Sequence, residues 1–326
     1  MRNVVDALLE ISVLGSFSKV GIRTRRRLYG WTDPPPDALE GRTALVTGPT
    51  SGLGRAAAAA LARLGARVVL VGRSQERLDG VRAELMAAHG EDRFQTVVAD
   101  LGSLASVAAA VERIRSAEPT LDVVVDNAGA IYPERRESPD GIEATLAVLV
   151  VGPFALVSGL LPLLRSTPDS RVIAVSSGGM YTQPLLLDDL GWTDRPFSGP
   201  RAYARAKRAQ VMLVREWSRR LGAEDPAMVS MHPGWAATPG LEASLPGFSG
   251  LMGPLLRTPA EGIDTLVWLA AAPPDELAPL RGAFVHDRRA RPFDRVPGTR
   301  VLGHERRQLW DAVVTLAGID DPLLSR

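Results

Sequence analysis

Between Thr43 and Leu64 the chain runs from an apolar stretch through a glycine turn into an alanine-rich stretch, an order few folds accept. Thr43-Ala44-Leu45-Val46 is short and apolar, as a strand buried on both faces would be. Arg55 to Leu64 is rich in alanine and reads as a helix. Between them stands Thr47-Gly48-Pro49-Thr50-Ser51-Gly52-Leu53-Gly54. Gly48 permits a tight turn and Gly52 lets the backbone approach an anion closely. Gly54 lets the helix pack on the sheet, and the helix N-terminus faces the anion. The simpler alternative is a glycine-rich turn joining two core elements, so the loop needs a second motif beside it.

The same alternation continues along the chain. Strands are predicted at Arg67–Val71, Phe94–Val98, Leu121–Val125, Arg171–Val175 and Ala227–Met231, with an edge strand at Gly282–His286. Helices are predicted at Ser74–Ala88, Leu104–Ser116, Ile142–Leu164, Arg201–Leu221, Pro259–Ala271 and Leu302–Leu316. Ile142–Leu164 is apolar enough to be buried, and Pro153 near its middle should bend it. Arg288 to Arg300 reads as basic and irregular. Strands alternating with crossover helices imply an α/β fold, a doubly wound parallel sheet with helices on both faces. Because the alternation is unbroken, residues 37–326 read as one domain, with a Gly/Pro-rich lid at about 239–258.

Residues 1–36 stand apart. Val4, Val5, Leu8, Leu9 and Ile11 give an amphipathic helix, a basic run from Arg23 to Arg27 follows, and Asp33-Pro34-Pro35-Pro36-Asp37 is a stiff linker. Residues 1–30 carry six cationic side chains against two acidic ones, although the whole chain has a net charge of only +1. This composition allows peripheral contact with a membrane surface, or packing against the domain or a second copy. Asp6 and Glu10 argue against a signal peptide, and no run reaches the roughly 18 apolar residues of a membrane span. The expected location is cytoplasmic, with the membrane surface as an option. The small net charge argues against a nucleic-acid partner. There are no cysteines, and the four histidines show no metal-ligand spacing, so no metal site is expected.

The second motif is Tyr203-Ala204-Arg205-Ala206-Lys207. On a helix, positions i and i+4 share a face. A tyrosine serves as an acid near neutral pH only if its anion is stabilised, and an adjacent ammonium does that. Only Lys19 and Lys207 are lysines; the other cationic residues of the chain are arginines. A lysine retained beside a tyrosine in that background points to chemistry a guanidinium cannot do, such as passing a proton along hydroxyls.

With these two motifs in place the chain resembles the short-chain dehydrogenase/reductase family from about Arg42 to about Thr258. The resemblance rests on Thr47–Gly54, Asp126-Asn127-Ala128-Gly129, Ser176-Ser177, Tyr203 with Lys207, and Pro233-Gly234 with Thr238. It implies a Rossmann fold and an oxidoreductase with a nicotinamide cofactor. Tyr203 would be the acid–base, Lys207 would lower its pKa and hold the ribose, and Ser177 would bond the substrate oxygen. The resemblance places the cofactor on Gly48, Ser51, Gly52, Leu53, Gly54, Asp100, Leu101, Asn127, Ala128, Gly129, Pro233, Gly234 and Thr238. Asp126 replaces the first asparagine of the usual motif. The family also carries an asparagine on the helix after the fourth strand, where this chain has Leu149 in Leu149-Val150-Val151-Gly152. That departure keeps a second reading open, a cofactor-binding sensor or interaction protein with little turnover. By analogy, the long apolar helix and the catalytic helix would suit the family's four-helix homo-oligomer interface.

Cofactor choice is argued from chemistry. Val71-Gly72-Arg73 offers no carboxylate to the ribose hydroxyls at the end of the second strand, and Arg73 suits a 2′-phosphate. NADP(H) is therefore expected. Apolar residues flank the entrance: Met180, Tyr181 and Leu185–Leu187 on one side, and Leu245, Phe248, Leu251, Met252, Leu255 and Leu256 on the other. They suit a lipophilic carbonyl or alcohol substrate, or simply anchor the lid. His232 is expected to be structural.

Overall fold

A computed structural model describes residues 2–90, 93–244, 247, 250 and 252–323. Eight strands form one sheet: β1 Thr43–Thr47, β2 Arg67–Gly72, β3 Phe94–Val98, β4 Val123–Asp126, β5 Arg171–Val175, β6 Ala227–His232, β7 Phe284–His286 and β8 Arg289–Arg291. Their order is β3-β2-β1-β4-β5-β6-β7-β8, parallel except for the last pair. The order reverses between β1 and β4, where Val46 pairs with Val125. A ligand crevice opens at such a reversal, outside the carboxyl ends of the strands. The chain is a doubly wound Rossmann fold, as expected.

The central strands are buried on both faces, which is why they read as continuous apolar runs. One face packs on helices Gly52–Arg63, Gln75–His89 and Asp264–Ala271, through residues such as Leu61, Leu78 and Leu266. The other packs on Leu104–Ala117, on the long helix Ala144–Ser166 and on the helix Gly199–Arg220, which carries Tyr203 and Lys207. Ala144–Ser166 has the length and apolarity to cross a bilayer, but it is a core helix here, with Leu149, Leu160 and Leu164 inaccessible to solvent. The helix Gly303–Ala317 lies across the long helix and Gly199–Arg220. Its Trp310 ring meets Trp217 at 4.7 Å and Phe154 at 5.0 Å, so the chain's own helix covers part of the surface that a four-helix interface would use.

Three expectations are corrected. Phe284–His286 is interior, and the edge strand is Arg289–Arg291, inside the segment read as irregular. Asp287 and Arg288 join the two strands at φ 51° and 55°, with neither glycine nor asparagine to mark the hairpin. Ion pairs fix both residues instead: Asp287 to Arg25 and Arg257, Arg288 to Asp264. The long helix owes its irregularity to a π-turn at Ala147–Val151, one residue ahead of Pro153; there Gly152 N–H bonds the Ala147 carbonyl. Pro153 opens the α-helical stretch that follows.

The N-terminal segment is three helices, Arg2–Ile11, Val13–Phe17 and Lys19–Tyr29; Ser12 and Ser18 cap the second and third. The basic run is helical and mostly paired. Arg25 is fully buried among Asp6, Glu10 and Asp287, Arg23 meets Glu261, and Arg26 meets Asp33 and Asp264. The first helix is inside out: Asp6 and Glu10 turn inward while Val4, Leu8 and Ile11 are exposed, Ile11 at 80%.

Candidate active site

The glycine turn is held to the end of β4 by Asn127. Its Nδ2 donates to the Thr47 carbonyl at 2.9 Å, and the backbone N–H groups of Asn127 and Ala128 both donate to Thr47 Oγ1 at 2.9 Å. Gly48 has φ 67°. A Cβ on Gly54 would lie 2.1 Å from the Gly48 carbonyl oxygen and 2.5 Å from Asn127 Nδ2, so only glycine fits. Thr238 stands over Gly52.

These residues line one cleft of about 810 Å³. The structure brings every sequence-predicted site residue to it: Gly48, Ser51, Gly52, Leu53, Gly54, Arg73, Asp100, Leu101, Asn127, Ala128, Gly129, Ser177, Tyr203, Lys207, Pro233, Gly234 and Thr238. Asp100 also serves its own turn, accepting from Gly102 N–H at 2.9 Å. Sequence reasoning missed Arg77, which shares the β2 end of the cleft with Arg73, and Ile131, Tyr132, Pro200 and Trp235 at the other end. Arg77 was findable, one helical turn past Arg73; Trp235 and Tyr132 lie on irregular backbone and carry no local signal.

Burial pushes the Tyr203 phenol up to about 12, against the lowering effect of the nearby Ser177 hydroxyl. Tyr203 therefore holds its proton at neutral pH. Lys207 Nζ lies 5.9 Å from the Tyr203 ring centroid and donates to the Val175 carbonyl at 2.7 Å and to Gln210 Oε1 at 3.2 Å. Burial pulls Lys207 down to about 8, partly opposed by Asp126. Burial thus outweighs any lowering of the Tyr203 pKa in this arrangement. His232 is buried and held neutral, chiefly by desolvation; its Nδ1 accepts from Gly178 N–H at 3.1 Å, which fits a structural role.

Of the two readings of the apolar walls, anchoring fits the described residues. Met180, Tyr181 and Leu185 point into the core and anchor their loop, while Gly179 and Thr182 face the cleft. In the lid, Met252 and Leu256 are buried and Leu255 is partly exposed; Leu245, Phe248 and Leu251 lie outside the described residues. Both lid roots are tied together and to the N-terminal segment. Arg257 N–H donates to the Trp235 carbonyl, Ala237 N–H to the Arg257 carbonyl, and Trp235 N–H to the Phe17 carbonyl.

No metal-binding cluster occurs among the described residues. The cleft fits a nicotinamide dinucleotide: the glycine turn and the N-terminus of helix Gly52–Arg63 line it, and two guanidinium groups stand at the β2 end.

The profile of the short chain dehydrogenase family matches residues 42–246. Dehydrogenase/reductase SDR family member 12 from Bos taurus is 40% identical over 263 residues, which cover 79% of this chain and 81% of that one. Retinol dehydrogenase 14 from Mus musculus is 32% identical over 303 residues, 87% of this chain and 88% of its own length. A crystal structure of a short chain dehydrogenase from Escherichia coli CFT073, complexed with NADPH, superimposes with a TM-score of 0.62 at 26% identity, covering 78% of this chain and 99% of the other. The chain belongs to the short-chain dehydrogenase/reductase family of oxidoreductases, whose members use a nicotinamide cofactor.

Proposed function

We propose that the protein is an NADP(H)-dependent carbonyl reductase, or in reverse an alcohol dehydrogenase, acting on a lipophilic small molecule. The observation that carries this is the convergence of Ser177, Tyr203 and Lys207 on the cleft that holds the glycine turn. The bound nicotinamide supplies or accepts the hydride. Tyr203 donates the proton to the carbonyl oxygen, and its protonated state at neutral pH suits reduction. Ser177 orients that oxygen beside the phenol. Lys207 holds the cofactor ribose with its buried ammonium. Arg73 and Arg77 receive a 2′-phosphate; neither forms an ion pair among the described residues. Ile131, Tyr132, Pro200 and Trp235 give the far end of the cleft an apolar and aromatic lining, which favours a lipophilic substrate. The relative named as a retinol dehydrogenase is in keeping with this.

The alternative, a cofactor-binding protein with little turnover, draws on Leu149, which puts no polar atom in the π-turn. A screen of apolar ketones, aldehydes and alcohols by nicotinamide absorbance separates the two. Oxidation of NADPH by a ketone or aldehyde supports the enzyme. Tight NADPH binding with no hydride transfer across the panel supports the alternative.

The inverted first helix supports peripheral association with a lipid surface. A helix on a water-facing surface turns its charges out, and this one turns Val4, Leu8 and Ile11 out, with Val13, Leu14 and Val20 following. Arg27 is the one member of the basic run that forms no ion pair among the described residues, so apolar insertion outweighs attraction to anionic headgroups.

A further inference from the structure

Lys207 is 2% exposed, at the wall of the cleft. Two titratable groups face it: Tyr203 on its own helix and Asp126 at the end of β4. From β5 it meets only the Val175 carbonyl. Gln210, one turn along the catalytic helix, bridges to the carboxylate. Its Oε1 accepts from Lys207 Nζ at 3.2 Å and its Nε2 donates to Asp126 Oδ2 at 2.6 Å. Ammonium, amide and carboxylate thus form one aligned chain, and all three residues are buried.

The carboxylate is an expensive choice. Asp126 Oδ1 has no hydrogen-bond partner among the described residues, and an orphaned buried acceptor costs about 1–3 kcal/mol. An asparagine at 126 would accept the same bond from Gln210 and avoid placing a charge in the core. What the aspartate adds is a group that can carry a charge: burial pushes its pKa up, and the Lys207 ammonium and the Gln210 amide act to hold it down. The nearby π-turn Ala147–Val151 of the long helix is apolar throughout and adds no polar side chain.

We propose that Asp126 and Gln210 are positioning residues for Lys207: Gln210 fixes the direction of the ammonium, and Asp126 keeps it charged inside the core. A lysine held charged keeps its third donor for a ribose while the other two are spent on Val175 and Gln210. This rests on the reading of Lys207 as the residue that holds the cofactor.

The test uses the two-lysine composition. Protein carrying ε-¹³C-lysine shows side-chain resonances from Lys19 and Lys207 only, and substitution of Lys19 assigns them. The wild-type Lys207 midpoint is expected near 8. Asp126→Asn should lower it by about one pH unit or more, the effect of removing an adjacent opposite charge. Gln210→Met, close to the native volume, should lower it too, because the carboxylate loses the donor that keeps it ionised. NADPH affinity at pH 8 should fall in both variants and recover at lower pH. A merely structural role would lower the melting temperature and leave the midpoint in place. If Asp126→Asn does not fold, Gln210→Met decides. An unchanged midpoint in either folded variant overturns the proposal. The titration needs no substrate. A shifted midpoint with no hydride transfer would sink the reductase reading alone, and turnover with an unmoved midpoint would sink this inference alone.

Discussion

Arg257 grips Asp287 with both terminal nitrogens, Nη1 to Oδ1 at 2.7 Å and Nη2 to Oδ2 at 3.0 Å. Neither side chain reaches solvent to any useful extent. The same guanidinium donates to the carbonyls of Ser16, Ser18 and Pro233, so one side chain joins the lid root, the end of β6 and the N-terminal helices. Asp287 is also bonded to Arg25 and sits in the β7–β8 hairpin at positive φ. Removing it leaves two buried guanidiniums short of countercharge. Asp287→Ala should lower unfolding free energy by about 3–5 kcal/mol in urea titrations. A loss below about 1 kcal/mol would show that the cluster does not hold the arm to the domain.

Two histidines make the same region sensitive to acid. His232 and His286 lie with their ring centroids 4.9 Å apart, tilted by 33°, and desolvation holds both well below the ordinary value of 6.5. The unfolded chain binds these protons near pH 6.5 and the folded chain does not. Their contribution to stability is therefore complete above pH 6.5 and is lost as pH falls below it, by about 1.4 kcal/mol per pH unit for each histidine. Melting temperature should decline between pH 6.5 and 5, and His286→Gln should flatten the decline. A melting temperature that is level across that range contradicts this.

Turnover should vanish in Tyr203→Phe while NADPH affinity stays near wild type, since only the proton donor is lost. Lys207→Ala should damage both. Lys207→Arg should be severe as well, because a planar guanidinium does not fit bonds to Val175 and Gln210 made by an ammonium. Initial rates beside calorimetric titrations check all three; full activity in Tyr203→Phe would end the proposed mechanism.

Cofactor discrimination should divide between two arginines. Arg73→Ala and Arg77→Ala should each weaken NADPH binding roughly tenfold, the worth of a charged hydrogen bond, and leave NADH unchanged. Equal loss for both cofactors would mean the guanidiniums contact something other than the 2′-phosphate.

Removing the N-terminal segment would strip countercharges and backbone partners from Arg257 and Asp287, so point substitutions are the cleaner probe of lipid contact. Leu8 is 62% exposed and Ile11 80%. Leu8→Asp with Ile11→Asp should abolish co-sedimentation with phosphatidylcholine vesicles and leave the melting temperature nearly unchanged. If wild type stays in the supernatant with neutral and anionic vesicles alike, the helix has another use.

The sheet was legible because its inner strands are buried on both sides and have to be apolar, and the site because Tyr203, Lys207 and the glycine turn act through local spacing. The β7–β8 hairpin was hidden because ion pairs from distant residues, rather than turn chemistry, hold Asp287 and Arg288 at positive φ. The fate of Arg25 was hidden likewise: a basic run looks solvated until Asp6, Glu10 and Asp287 are brought to it. Gln210 gave no signal because its meaning depends on Asp126, 84 positions away.

An arginine-dominated chain also has an unusual reactive surface. Lys19 is the more accessible lysine, and Lys207, on the wall of the cleft, is 2% exposed. Amine-directed reagents should therefore attach a tether or dye through Lys19, two residues from the Phe17 that supports the lid root. A slower label located on Lys207 by peptide mapping, apart from any on the α-amino group, would report on the cleft. Its rate would measure how often the cleft opens, and slowing by added dinucleotide would report occupancy without any substrate in hand.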